Sequence, residues 1–357
     1  MENFFDENEK ALIWLDSLDG LEYKYKKAFL DECAAPGDFL YNARDYLNVL
    51  GSEAVSRFED RGIEEADELC RRLAEKGIAV AVYGSESYPE RLYGVDNPPV
   101  MLYCKGNRAL LNAENTLAVV GSRKTSPAVR EITEKIAEQL SEKYCVVTGL
   151  AEGADSAALK GAVKKGTAIT VLAYGFDHVF PSSNRDLLHS VEECGLAVTE
   201  HNPAVAPRSY LFPARNRLIA GLGDGALVVS AAAKSGALIT ADYAEKYRKK
   251  LFAFPYSIGI KSGEGCNNLL RRGAYLTESA ADIYRAFGES YEENAGLPEM
   301  DDREKTVYSL LADGELHIDK IIELSGLEFS ALSPVLMMLE IKGLIKAGPG
   351  NVYSALI

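Results

Sequence analysis

Leu117-Ala-Val-Val-Gly121-Ser-Arg-Lys-Thr-Ser-Pro127 is the stretch on which the fold turns. An apolar run containing adjacent valines suits a strand covered on both faces, and it stops at a glycine followed by polar residues. Ser126 stands where it can cap a helix whose first position is Pro127, and Ile132, Ile136 and Leu140 predict the buried face of that helix. Strand, short polar turn and helix N-terminus make one βα unit, and the pattern recurs downstream. Cys145-Val-Val-Thr148 leads into Gly149-Leu-Ala-Glu-Gly-Ala-Asp155, and strand-like runs follow at 168–173, 196–199, 226–230 and 251–254. Strands this apolar, alternating with helices, predict an α/β protein built on an extended Rossmann-like parallel sheet with helices on both faces. Such sheets bind ligands beyond the carboxyl ends of their strands. Residues 78–107, rich in Tyr, Pro and Gly between 83 and 99, read as a less regular lead-in.

Both flanks read as helical. Ala11, Leu12, Leu15 and Leu18 recur at helical spacing, residues 63–76 are amphipathic, and Gly20, Pro36-Gly37 and Gly51 interrupt the pattern. Residues 289–302 are acidic and contain Gly296 and Pro298, the composition of a linker. Beyond them, Val307, Leu310 and Leu311 mark one helix, 318–324 a second and 332–341 a third. A turn through Gly348-Pro-Gly-Asn then introduces a short hairpin, the order of a winged helix. The predicted organisation is a small helical domain (1–77), a Rossmann-like domain (78–288), an acidic linker (289–302) and a winged-helix domain (303–357).

Composition narrows the function. The chain has 357 residues, 47% of them hydrophobic, and no apolar run long enough to span a bilayer. An acidic start without a basic, apolar leader predicts a cytoplasmic protein away from membranes. Six scattered cysteines with no Cys-x-x-Cys, and four histidines, predict no metal site, no redox pair and no cofactor. The net charge of −14 is unevenly spread: residues 1–77 carry 10 basic and 19 acidic side chains, 78–287 carry 24 and 21, and 288–357 carry 5 and 13. Only the middle segment has a field that attracts phosphate.

Within that segment, Gly121, Ser122, Arg123 and Lys124 precede a helix N-terminus, where backbone N–H groups and an arginine fork suit an anion; a tight turn with an exposed arginine is the plainer reading. Gly149 and Asp155 bracket a turn that is neither a dinucleotide fingerprint nor a P-loop, and a simple capped turn accounts for it. Between Val205 and Gly223 there are three arginines and no acid. There Arg208, Arg215 and Arg217 can meet phosphates, Phe212 offers a stacking face and Asn216 can read a base edge, the pairing used by single-strand grooves. Lys234, Ser235 and Gly236 open another helix, and the segment around Asn267 reads as a flexible basic loop. No spaced Ser-His-acid set is present, and the strand-end carboxylates are limited to Asp155, Glu200 and Asp224, so no hydrolytic machinery is evident.

The order of these motifs closely resembles the DprA/Smf DNA-processing family: Val-Gly-Ser-Arg-Lys at 120–124, Thr-Gly-Leu-Ala-x-Gly-x-Asp at 148–155, Phe-Pro-x-Arg-Asn-Arg-x-Ile-Ala-Gly-Leu at 212–222, Ser-Gly-x-Leu-Ile-Thr-Ala at 235–241 and Gly-x-Gly-x-Asn-x-Leu-x-x-x-Gly-Ala at 263–274. Tyr88-Pro89 and Asn97-Pro98-Pro99 add to it, and the likeness spans roughly 80–285. The resemblance implies a non-catalytic protein that binds and shields incoming single-stranded DNA in natural transformation, helps load the recombinase RecA, and forms a homodimer through its Rossmann-like domain. It implies a DNA pocket shaped by Gly121, Ser122, Arg123, Gly149, Asp155, Phe212, Arg215, Asn216, Arg217, Ser235, Gly236 and Asn267, beside which Lys124 and Lys234 add charge. The N-terminal helices resemble the small SAM- or HhH-like domain of many members. The chain departs from the family at Glu152, Ala158 and Ser230, where Arg, His and Glu are usual, and also at Tyr256, Glu264 and Ser182. Lost positive charge at a phosphate site weakens binding and flattens its salt dependence.

Two other classes compete. A nucleoside-monophosphate hydrolase of the lysine-decarboxylase-like group shares the scaffold but needs a Pro-Gly-Gly-x-Gly-Thr-x-x-Glu signature. The nearest stretch, 230–236, lacks both its glycine run and its glutamate. A winged-helix transcription regulator would bring cations to duplex phosphates, and the acidic C-terminal segment argues against that.

Overall fold

The computed structural model describes residues 4–18, 21–33, 35–289, 300–312 and 314–356. Gly20, and with Gly296 and Pro298 most of the acidic linker, lie outside the described residues. The chain forms two compact units, Met1–Glu289 and Ser290–Ile357.

The first unit opens with α1 (Glu7–Asp16), α2 (Tyr23–Glu32), α3 (Leu47–Leu50) and α4 (Ser52–Glu75). Asp6 and Glu9 close a capping box at the start of α1. Gly51, at φ +83°, separates α3 from α4 in a conformation that disfavours side chains. Trp14, wholly buried, meets the rings of Phe39 and Phe58 at the centre of this helical layer.

Residues 78–107 are more regular than their composition suggests, because they contain β1 (Ala79–Val82) and β2 (Met101–Gly106). The two pair antiparallel, and β2 pairs antiparallel with β6 (Leu196–Thr199). Alternation divides their side chains. Val80, Val82, Met101 and Tyr103 join the core of the N-terminal helices, while Ala81, Leu102 and Cys104 join the core of the main sheet. These strands thereby bind the helical layer to the sheet. Their signal is weak in sequence because the Tyr- and Pro-rich stretch 83–100 separates two short runs.

The βα units follow as read: β3 (Thr116–Gly121), α5 (Pro127–Leu140), β4 (Cys145–Thr148), α6 (Ala154–Val163), β5 (Ala168–Val171), α7 (Arg185–Cys194), then β6. They continue through α8 (Leu211–Leu222), β7 (Gly225–Ser230), α9 (Ala237–Lys246), β8 (Lys250–Ala253), α10 (Glu264–Arg271), β9 (Tyr275–Leu276) and α11 (Ala280–Ala286). Ser126 caps α5 by accepting from the Val129 N–H. Ile136 and Leu140 are buried as predicted, but Ile132 is exposed and Thr133 takes the inward position. The stretch 264–271, read as part of a flexible loop, is the helix α10.

The sheet order is β1-β2-β6-β5-β4-β3-β7-β8-β9, parallel from β6 to β9 and antiparallel at the β1–β2 end. The chain moves outward from β3 to β6, then α8 carries it back so that β7 lies on the other side of β3. The crossovers reverse direction between β3 and β7, and a crevice opens there at the carboxyl ends of the strands.

The second unit contains α12 (Asp302–Leu311), β10 (Leu316–His317), α13 (Ile318–Ser325), α14 (Phe329–Ile341), β11 (Ile345–Gly348) and β12 (Val352–Ala355), with the strands ordered β10-β12-β11. Gly326, left-handed at φ +66°, makes the turn between α13 and α14. Val307, Leu311, Ile321, Leu332, Leu336 and Leu339 form the core of this winged helix.

Candidate functional site

The crevice between β3 and β7 is a cleft of about 460 Å³. The turn after β3 supplies Gly121, Ser122, Arg123 and Lys124; the start of α6 supplies Asp155; α8 supplies Phe212, Arg215 and Asn216; the start of α9 supplies Ser235 and Gly236. Residues distant in sequence converge because each precedes or begins a helix at the same edge of the sheet.

Arg215 forms the floor. Only 5% of it is exposed, and an arginine keeps its proton even when burial opposes the charge. Its Nε donates to Asn216 Oδ1 at 3.2 Å and one terminal nitrogen donates to the Val171 carbonyl. Asp155 lies nearby, accepting from the Ala151 N–H at 3.3 Å. Burial raises its pKa, and the Arg215 charge opposes that rise. Gly149 is the space these two charges occupy: a Cβ there would fall 2.5 Å from Asp155 Oδ2 and 2.7 Å from both terminal nitrogens of Arg215. Gly153, at φ +83°, lets α6 start against the β3 turn, where a Cβ would meet the Ser122 carbonyl at 2.5 Å.

The rim pairs charge with aromatic surface. The exposed Arg123 guanidinium lies 5.3 Å from the Phe212 ring centroid. Phe212 is steadied by Phe180, whose ring is 5.7 Å away edge-on, and by Tyr174. Ser122 Oγ accepts from the Lys124 N–H at 3.1 Å and shapes the turn. Asn216 Nδ2 reaches the Gly236 carbonyl at 3.4 Å and ties α8 to the start of α9.

Five of the candidate residues lie elsewhere. Arg217 points away from the cleft: its terminal nitrogens each donate to Glu200 at 2.6 Å, and it also donates to the carbonyls of Asp96 at 2.8 Å and Asn97 at 2.9 Å. Residues two apart on a helix are about 200° apart around it, so Arg215 and Arg217 cannot share a face. Asn267 grips the Tyr256 backbone through both its amide atoms, at 3.0 and 2.9 Å, and holds the loop after β8. Lys234 is exposed outside the cleft lining, and Gly149 lies behind the lining as the space just described. Arg208 lines a separate hollow beside the N-terminal helices.

The strand-end carboxylates are also divided. Glu200 holds Arg217, while Asp224 lies at the opposite edge of the sheet and accepts from Arg91 Nε at 2.9 Å and from the Thr116 N–H at 2.9 Å. Only Asp155 lines the cleft. Residues the sequence reading passed over include Phe180, and also Arg130 and Lys160, which line an adjoining groove with Arg123 and Glu152. Glu152 is fastened there by a 2.8 Å hydrogen bond from Ser183 Oγ. Phe180 could have been noticed as one more aromatic near a turn; Arg130 and Lys160 lie on helices of mixed charge and carry no signal. A hollow of about 710 Å³ among the N-terminal helices is roomier, but its arginines Arg44 and Arg61 are paired with Glu59 and Glu64.

A mostly parallel α/β sheet with a cationic, aromatic-edged cleft at its switch point, followed by a winged helix, defines a Rossmann-like protein of composite type without the dinucleotide fingerprint. The profile of the family described as DNA recombination-mediator protein A matches residues 79–288, and that of the DprA winged helix domain matches 292–351. The chain belongs to the DNA recombination-mediator protein A family. It is 37% identical over 244 residues to the DNA processing protein DprA of Streptococcus pneumoniae, covering 68% of this chain and 86% of that protein. The X-ray structure of DprA from Streptococcus pneumoniae superposes with a TM-score of 0.65 at 29% identity, over 80% of this chain and 99% of the other. A structure of DNA processing protein A from Helicobacter pylori, described as showing a single-stranded DNA binding mode, gives a TM-score of 0.55 at 28% identity, over 60% of this chain and 97% of the other.

Proposed function

We propose that this chain is a DNA-processing protein that binds single-stranded DNA in the β3–β7 cleft and releases it unchanged. The observation that carries the reading is the Arg123–Phe212 pair standing at the rim above the buried cation Arg215. A cation at the rim and another on the floor suit a phosphate backbone, and the aromatic ring beside the rim cation suits a base of any identity. The Helicobacter pylori relative, by its description, binds the same polymer. The cleft takes 10 of the 14 expected residues, with Arg217, Asn267, Lys234 and Gly149 in supporting or outlying positions. The same proposal makes the protein a cytoplasmic participant in transformation that helps load RecA, and it assigns the cleft no turnover. Asp155 there is buried beside a counter-charge rather than poised with a second acid.

The test is equilibrium binding of a labelled oligothymidine and of a duplex of equal length across a salt series. Single-strand affinity should exceed duplex affinity by about tenfold or more and fall steeply with salt. Preference for the duplex sinks the proposal, and turnover of nucleoside monophosphates favours the hydrolase reading instead.

Self-association through the Rossmann-like unit belongs to the same proposal, and the exposed end of the sheet supports it. β9 ends the sheet with Tyr275 47% and Leu276 52% exposed, an apolar edge that strand pairing or packing would cover. Leu276→Arg is expected to shift a dimer to monomer in sedimentation velocity while the circular dichroism spectrum stays that of the folded protein, and to abolish any dependence of the melting temperature on protein concentration. An unchanged sedimentation coefficient places the contact elsewhere.

A further inference from the structure

In helix-turn-helix proteins the second helix of the motif presents polar and cationic side chains to DNA. Here that helix is α14, Phe-Ser-Ala-Leu-Ser-Pro-Val-Leu-Met-Met-Leu-Glu-Ile, which contains no cation. Its buried side is made by Leu332, Val335, Leu336 and Leu339. At 100° per residue, the line opposite that side runs through Ser330, Pro334, Met337 and Ile341, spaced i, i+4, i+7 and i+11. Apart from Ser330 at its start, the solvent-facing stripe is therefore apolar: Met337 is 63% and Ile341 69% exposed, with Phe329 (60%) and Met338 (45%) on its margins. A surface helix ordinarily carries polar residues there, and methionines make an apolar surface that adapts to its partner.

Two observations indicate what covers it. The stripe spans about three helical turns, or roughly 16 Å, which matches one helix better than the broad face of a second globular copy. Charge points the same way. Arg303, Lys305 and Lys342 flank one side of the stripe with Asp301 and Glu304, and Lys342 is paired with Glu304, but residues 300–357 together carry 5 basic and 9 acidic side chains, so the field of this unit favours a basic partner over a second copy of itself or an anionic lipid surface. We infer that the exposed stripe of α14 docks a basic amphipathic helix of another protein, its apolar residues against Met337 and Ile341. The winged helix then serves as a protein-recruiting module. This is independent of how the β3–β7 cleft reads.

The experiment uses the full chain and a labelled helical peptide of leucine and lysine, with leucines at i, i+3, i+4 and i+7, followed by fluorescence anisotropy. Saturable binding below about 100 µM is expected, weakened about tenfold by Met337→Glu or Ile341→Glu and about tenfold when glutamate replaces the peptide's lysines. Both variants alter exposed residues; the serine variants at the same positions serve if either glutamate variant melts early. No binding at about 100 µM overturns the inference, as does equal binding by the variants or indifference to peptide charge. Vesicles of zwitterionic or anionic lipid captured by the wild type but not by Met337→Glu would assign the stripe to a membrane, although no single helix among the described residues is long and apolar enough to cross one. Concentration-dependent self-association lost in that variant would assign it to a second copy. Either result overturns the basic-helix partner.

Discussion

Arg217→Ala should lower the stability of the first unit by roughly 3–5 kcal/mol, the cost of breaking a buried ion pair from one side. Arg217 is 8% exposed, and its guanidinium serves Glu200, Asp96, Asn97 and the Ala214 carbonyl together. Without it, the Glu200 carboxylate, whose side chain is only 17% exposed, loses its counter-ion. The turn at 96–97 also loses the donors to its two carbonyls. Arg217→Lys restores charge but not the fork and should recover only part of the loss. Thermal and urea unfolding would measure this, with single-strand binding compared under conditions where the variant is still folded. The signature is a fall in melting temperature with an unchanged salt slope. An undiminished melting temperature with a shallower slope would make Arg217 a phosphate contact after all.

Arg123→Ala and Phe212→Ala should behave in the opposite way, leaving folding intact and weakening single-strand binding. Arg123 is exposed and its contact with Phe212 lies at the rim, so its removal leaves no buried group unpaired. Losing one phosphate contact should lower the slope of log K against log salt by about 0.7, the single-strand value per charge. Phe212→Ala removes a stacking face and should cost about 1–3 kcal/mol, or roughly 5- to 150-fold in affinity, with the slope retained. Because ring and guanidinium face each other at 5.3 Å, the double variant should cost less than the two singles added, by roughly 0.5–2 kcal/mol. Unchanged salt slopes in Arg123→Ala, or strict additivity in the double variant, would remove this pair from the DNA path.

Arg217 and Arg123 also mark where sequence reading works and where it stops. Arg123 sits in a strand-turn-helix segment whose neighbours in sequence are its neighbours in space, so its position at the cleft was legible from the turn alone. Arg215 and Arg217 share one motif, and helix geometry already forbids them a common face. Which of the two looks into the cleft depends on the side α8 turns to the sheet, a matter of packing. Asn267 shows the same limit. Its amide suits a ligand as well as it suits the Tyr256 backbone, and only the fold of the loop after β8 selects between them.

The βα units, their caps and the winged-helix order were available from local pattern, because strand and helix periodicity and turn chemistry act over a few residues. Strand order was not. The reversal between β3 and β7, which creates the cleft, and the antiparallel β1–β2 pair, which ties the N-terminal helices to the sheet, depend on contacts between segments far apart in the chain. Periodicity reports which side of a segment is apolar, while the partner it meets is chosen by long-range packing, and in this chain that choice separates a cation that faces the cleft from one that holds the scaffold.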